Sequence, residues 1–258
     1  MSQIVMPVLF VGHGSPMNAV EDNGYSQTWE SLGKNLPRPK AILCISAHWE
    51  TAGTQITAMD RPRTIHDFGG FPHTLFEKEY PTAGDPSLAI DICSTVKTVT
   101  IRPDLNRGLD HGAWSVLCRM YPQADIPVLQ LSLDLTRDGN YHYNLGRELR
   151  FLRTKDVLIL GSGNVVHNLR MISWGAYPFD WAEEFDRLVR QKILDGDHQA
   201  LIRYADLGKN AALSINSAEH YLPLLYILGA MQQGESVSFF NESIMAGSIS
   251  MRGVVIGA

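Results

Sequence analysis

Four short runs rich in Val, Ile and Leu recur along the chain, at Pro7–Val11, Ala41–Ser46, Val128–Leu133 and Val157–Leu160. Near-continuous hydrophobicity of this kind is how strands read when helices cover both faces of a parallel sheet. Between the runs the period changes. Trp181, Phe185, Leu188 and Val189 recur at helical spacing and leave Glu183, Glu184, Arg187 and Arg190 for water. Tyr25–Leu36 and Ser87–Val96 are shorter helix candidates. The tail differs again, because Ser236–Asn241 and Ser248–Ile256 read as two strands joined by a link containing Gly247, an antiparallel pair. Alternating β and α elements with a late hairpin predict an α/β fold. The expectation is a single domain over residues 1–258, three layers (α/β/α) around a mixed, mostly parallel sheet with a C-terminal antiparallel hairpin. Met59–Pro86, rich in proline, glycine and aromatic residues, is too long and irregular for an ordinary connection and reads as a functional loop or lid.

Composition narrows the partners. The 258 residues carry a formal charge of −5 with no block of like charge, which disfavours a nucleic-acid footprint and a polybasic membrane anchor. No apolar run reaches the roughly 20 residues that span a bilayer, and the N-terminus does not resemble a secretory signal. Cys44, Cys93 and Cys118 form an odd, scattered set without a CxxC spacing. A soluble, reduced, cytoplasmic protein is the expectation.

Histidine placement carries the chemistry. Of nine histidines, His13 follows the first apolar run in Gly12-His13-Gly14-Ser15-Pro16, and His48 follows the second in Ser46-Ala47-His48-Trp49. Both are expected just beyond strand ends one βαβ unit apart, in the crevice where open α/β sheets bind ligands. Neutral imidazole is the commonest metal-ligating side chain, and two at equivalent strand ends can converge on one ion, although each can equally be a hydrogen-bonded loop residue. His167 lies beyond the run Val157–Leu160, after a turn predicted at Gly161-Ser162-Gly163-Asn164. That string brushes against the GxGxxG dinucleotide fingerprint, but Val166 occupies the third glycine position and no second strand ending in an acidic residue follows, so a nicotinamide cofactor is rejected. His220 enters the apolar segment Leu224–Met231, with Ser217 as expected helix cap and Pro223 near the helix start. Its neighbour Glu219 is a candidate ligand too; successive helical residues point about 100° apart, so one of the two would ligate and the other support it. His111 sits beside Asp110 in Leu109-Asp110-His111-Gly112, where it can bind substrate or move a proton, or simply hydrogen-bond Asp110. His66 and His73 belong to the aromatic loop, where Phe68 and Phe71 can frame a ring-shaped ligand. His142 and His198 are expected to be solvated. Gly-x-Ser-x-Gly is absent, since Pro16 follows Ser15 directly, and neither HExxH nor a Walker loop occurs.

Taken in order, these strings resemble the extradiol ring-cleavage dioxygenases of the LigB type, in particular the 4,5-DOPA dioxygenase branch. The match runs through GHGSP at Gly12–Pro16, SAHW at Ser46–Trp49, HDFGGFP at His66–Pro72 and YPTAGDP at Tyr80–Pro86. It continues with GLDHGAW at Gly108–Trp114, GSGNVVHNL at Gly161–Leu169 and AEHYLPLL at Ala218–Leu225. GHGS alone is a weak signal, shared with tetrapyrrole metal chelatases; the ordered set is specific. The resemblance implies one mononuclear divalent metal, Fe(II) for catalysis, held by His13, His48 and His220, with His167 beside it as an acid/base or further ligand. It implies His111 at a substrate oxygen, Ser15 and Phe71 against the substrate, and a catechol such as L-DOPA opened by O2 to a muconic semialdehyde. Where the protocatechuate branch supplies a glutamate ligand, the pattern here favours His220 over Glu219. An all-histidine set also suits Zn(II), so a zinc-dependent hydrolase at the same histidines is the alternative reading.

Overall fold

The computed structural model describes residues 5–175 and 177–258. In chain order the elements are β1 (Val8–Gly12), α1 (Gly24–Asn35), β2 (Ala41–Thr51), β3 (Thr54–Thr57), α2 (His73–Phe76), α3 (Pro86–Thr95), β4 (Ile101–Asp104), α4 (His111–Met120), β5 (Val128–Asp134), α5 (Gly139–Leu149) and β6 (Val157–Gly163). They continue with α6 (Asp180–Leu194), α7 (His198–Ile202), α8 (Lys209–Ser214), α9 (Leu222–Ala230), β7 (Val237–Phe240), β8 (Ile244–Met245), β9 (Ile249–Ser250) and β10 (Gly253–Ile256). Eight strands form one mixed sheet in the order β4-β3-β5-β2-β6-β1-β10-β7, and β8 and β9 form a separate small hairpin.

The central strands β5, β2, β6 and β1 are parallel, as their unbroken hydrophobicity requires. Each side-chain row goes to a different core, because successive residues of a strand point to opposite faces. Phe10, Leu43, Ile45 and Ile159 pack with Phe185 and Val189 of α6 and with the wholly buried α9. Leu9, Val11, Ile42, Cys44, Leu158 and Leu160 pack with Trp29 of α1 and Trp114 of α4 on the other side. This is the three-layer α/β/α arrangement expected from the sequence. The late antiparallel pair is present in part: β7 pairs antiparallel with β10, which runs antiparallel to β1. The second expected strand, Ser248–Ile256, is split, its first part being β9, which pairs with β8 across the turn at Gly247 in the separate hairpin.

Several local readings are corrected. The turn expected at residues 161–164 is the last part of β6, which runs to Gly163. Helices α4 and α5, and the strands β3 and β4 at one end of the sheet, are additional to the elements expected from the sequence. His142, expected in solvent, is buried against the Tyr226 hydroxyl at 3.0 Å, and burial pulls its pKa down to about 4. His198 is half-buried and hydrogen-bonded to the Tyr143 hydroxyl at 3.0 Å. The stretch from Met59 to Pro86 is irregular, as expected, apart from the single turn of α2.

One buried ion network ties the C-terminal segment to α6. Asp186 accepts from Arg252 Nε at 3.0 Å, from Arg252 Nη2 and from the Ser250 hydroxyl at 2.6 Å, while Arg252 Nη1 pairs with Glu242. Removing one partner of a buried pair leaves the other charge without its water or its counter-ion. Asp186→Ala is therefore expected to cost about 3–5 kcal/mol of stability, read from urea unfolding; a loss under about 1 kcal/mol would show that Glu242 alone compensates Arg252.

Candidate metal and substrate site

Strand ends and two turns bring five histidines together. His13 immediately follows β1, and its backbone N–H donates to the Gly163 carbonyl at 3.1 Å, which holds it beside the end of β6. His48 does not lie beyond β2, as the sequence reading had it; β2 continues to Thr51. The ladder with β5 pairs Ile45 with Leu131 and next Glu50 with Leu133, so β2 spends extra residues between those points. Such a bulge re-aims side chains, and His48 sits within it. Gly112 is needed there: a β-carbon would collide with the Ser46 hydroxyl and approach His48 Cδ2 to 2.9 Å.

His220 lies in the turn before α9 rather than on the helix. Its carbonyl accepts from Asn164 N–H at 2.8 Å, and a β-carbon at Gly163 would strike that same carbonyl, so the glycine lets the turn seat on the end of β6. Ser217 does not cap the helix; its hydroxyl donates to Glu219 Oε1 at 2.8 Å. Pro223 does fall in the first turn. His167 follows β6 in an irregular segment, where its N–H donates to the Ser214 carbonyl at 2.9 Å and it bridges to Ile215 and Ile249. Its ring stacks on His220 with centroids 3.4 Å apart. His111 is the first residue of α4, and Asp110 caps that helix by accepting from Ala113 N–H. His111 pairs not with Asp110 but with Asp67, whose Oδ1 accepts from both His111 Nδ1 and His111 N–H, at 3.0 and 2.9 Å.

Hydrogen bonding assigns the imidazole protons. The Ser162 hydroxyl lies 2.5 Å from the Gly112 carbonyl, which can only accept, so its proton points there. Its oxygen, 3.0 Å from His13 Nδ1, then accepts from that nitrogen, which leaves His13 Nε2 as a lone pair. Glu219 Oε1, 3.0 Å from His220 Nδ1, imposes the same tautomer on His220 when ionised. The Nε2 atoms of His13 and His48 face each other at 3.0 Å, and the ligating atoms of His13, His48 and His220 all lie within 4.8 Å of one another. Burial, reinforced by the neighbouring imidazoles, holds His13 and His220 well below the ordinary histidine range. Burial, then His111, brings His48 to about 3, and burial brings His167 to about 4. Four unprotonated imidazoles thus share one focus at neutral pH. The donor set fits a divalent transition metal: three nitrogens converge, two with their second nitrogen anchored by an oxygen acceptor, the usual support of metal-ligating histidine. Burial opposes the charge of Asp67, but the hydrogen bonds and charge of His111 outweigh it and hold the carboxyl at about 2.

The histidines form the floor of a cavity of about 300 Å³, at the small end of the range for ligand pockets. Ser15 and Phe71 both line it, as expected, although the Ser15 oxygen already accepts from Met17 N–H at 3.2 Å. Phe68 meets Phe71 edge to face at 5.4 Å and His111 at 5.5 Å. His66 and His73 do not reach the cavity. His66 bonds the Lys78 carbonyl at 2.9 Å, and His73 is exposed beside Glu77. Sequence reasoning missed Ser162 and the pairing role of Asp67; the latter sits inside HDFGGFP, but its partner is 44 residues away.

Residues 7–252 match the family model described as the catalytic LigB subunit of aromatic ring-opening dioxygenase. The chain belongs to this family. LigB dioxygenases use a mononuclear metal, and among the described residues this cluster of histidines with Asp67 and Glu219 has the donors to bind one. The chain is 45% identical to the 4,5-DOPA dioxygenase extradiol of Escherichia coli K12, over all of its own length and 97% of the relative's. It is 36% identical to the Beta vulgaris protein of the same name, with 95% and 94% covered. The crystal structure of an uncharacterized Escherichia coli K12 protein superposes with a TM-score of 0.86 at 41% identity, covering 98% of this chain and all of that one. Among the described residues no helix is long and apolar enough to cross a membrane.

Proposed function

We propose that this LigB-family dioxygenase opens the ring of catechols such as L-DOPA beside the diol, with O2 as co-substrate and the whole of residues 1–258 acting as one catalytic unit. The observation that carries this reading is the convergence of three unprotonated imidazoles, His13, His48 and His220, on the floor of an aromatic-walled cavity. These residues would hold one divalent ion. Fe(II), when bound there, supplies a seat for the diol oxygens and for O2 and a path for electrons between them. The remaining work falls to the protein's own groups. His111, with Nδ1–H fixed on Asp67, presents Nε2 as a hydrogen-bond acceptor to a substrate hydroxyl, and the carboxylate steadies the imidazole when it gains a proton. His167, an unprotonated acceptor stacked on His220, takes the second hydroxyl proton and can return it when the ring opens. Phe68 and Phe71 pack the ring faces and exclude water. The buried free thiols Cys44 and Cys118 fit a reducing compartment such as the cytoplasm.

Oxygen uptake on L-DOPA tests the reading. Protein reconstituted with Fe(II) is expected to consume O2 and form a yellow semialdehyde product, whereas the zinc form binds catechol without turnover, because Zn(II) has no redox chemistry. Oxygen-independent ester or amide cleavage by the zinc form, with no uptake by the iron form, would favour the hydrolase instead.

A further inference from the structure

The cavity has a chemically distinct wall. Apart from the histidines, the cavity is lined largely by Leu169, Ile172, Trp174, Met245 and Ile249 together with the two phenylalanines. Among the described lining residues there is no lysine or arginine, and Asp67 is the one carboxylate. Leu169 and Trp174 are 57% and 72% exposed, an apolar mouth rather than a sealed core. The nearby Arg107 is committed elsewhere: it acts electrostatically on His48, donates to the His48 carbonyl at 2.9 Å, lies 3.6 Å from Asp110 and sits over the Trp49 ring. A catechol bound by its diol at the histidines must send its ring substituent along these apolar walls. A carboxylate on that substituent would lose water, find no cation and face Asp67, whereas an alkyl chain gains burial and an ammonium gains an anion.

We propose that this site selects catechols whose ring substituent is uncharged or cationic, alkylcatechols and catecholamines, over catechols carrying a net-anionic side chain. The inference rests on the diol binding at the histidine floor as argued above. L-DOPA, whose carboxylate is accompanied by an ammonium group, falls between the extremes.

Three probes of similar size share the diol and differ at the tail: 4-propylcatechol, dopamine and 3-(3,4-dihydroxyphenyl)propanoate. Calorimetric titration of the zinc-loaded protein gives their dissociation constants without turnover, and oxygen uptake by the iron-loaded protein gives kcat/KM. The propanoate is expected to bind roughly tenfold or more weakly than the other two, with the same order in kcat/KM. Leu169→Arg, an exposed change at the mouth, is expected to narrow that gap by strengthening the propanoate and weakening dopamine. Equal or tighter binding of the propanoate overturns the proposal. So does a propanoate affinity that falls on Arg170→Ala, since the exposed Arg170 would then be serving the site as a cation. If the expected binding order holds while no probe supports oxygen uptake, the selectivity stands and the dioxygenase reading falls; if none of the three binds, both fall.

Discussion

His13→Ala is expected to abolish ring cleavage by removing the metal, not by disturbing the reaction itself. His13 occupies the junction of β1 and β6, and the Ser162 hydroxyl and the Gly163 carbonyl fix its ring and its backbone. An imidazole held in that tautomer presents Nε2 at no further ordering cost. Alanine deletes one of three nitrogens, and metal affinity should fall by more than roughly 100-fold, beyond the 10–100-fold usual for loss of a supporting group alone. Metal analysis after reconstitution, beside circular dichroism for the fold, checks this. A folded His13→Ala protein with stoichiometric iron would contradict the ligand assignment. Ser162→Ala makes the graded companion, expected to weaken metal within the 10–100-fold range because only the orienting acceptor is lost.

For His167→Ala the expected outcome separates binding from chemistry: metal content close to that of the parent, with kcat lower by about 10²–10⁴-fold. The ring stacks on His220 at 3.4 Å and lies outside the His13, His48 and His220 group. Its low pKa, set by burial, keeps it able to accept a hydroxyl proton at neutral pH. Single-turnover oxygen uptake at saturating catechol reads the step directly. Unchanged turnover would take His167 out of the chemistry, and loss of iron in step with activity would make it a ligand.

How much of this was legible in the chain follows from range. Buried parallel strands announce themselves by continuous Val, Ile and Leu, so β1, β2, β5 and β6 could be placed, and with them His13 after β1 and His167 after β6. The aim of His48 could not, because a bulge inside β2 leaves no periodic mark and shows only in the register with β5. Helix α4 was obscure because it is only ten residues long and opens on His111-Gly112, which in the sequence reads as a glycine-containing turn. The Asp67–His111 and His13–Ser162 pairs join residues far apart in sequence, and no local spacing encodes them. The adjacent Asp110 and His111 invited a pairing, yet Asp110 spends its oxygens on the Ala113 N–H, the Ser46 hydroxyl and Gln130. Spacing alone left Glu219 and His220 as alternatives and only the family resemblance favoured His220; both lie in a turn, with Glu219 Oε1 3.0 Å from His220 Nδ1.

The pairing of β1 with β10 bears on how the molecule is made. Residues 8–10 pair with residues 254–256, and the turn that carries His220 seats on Asn164, so the imidazoles are brought together by contacts between segments far apart in the chain. Closing loops over such distances costs entropy before the contacts repay it, so the histidine cluster is expected to form only with the completed sheet and not within any isolated segment.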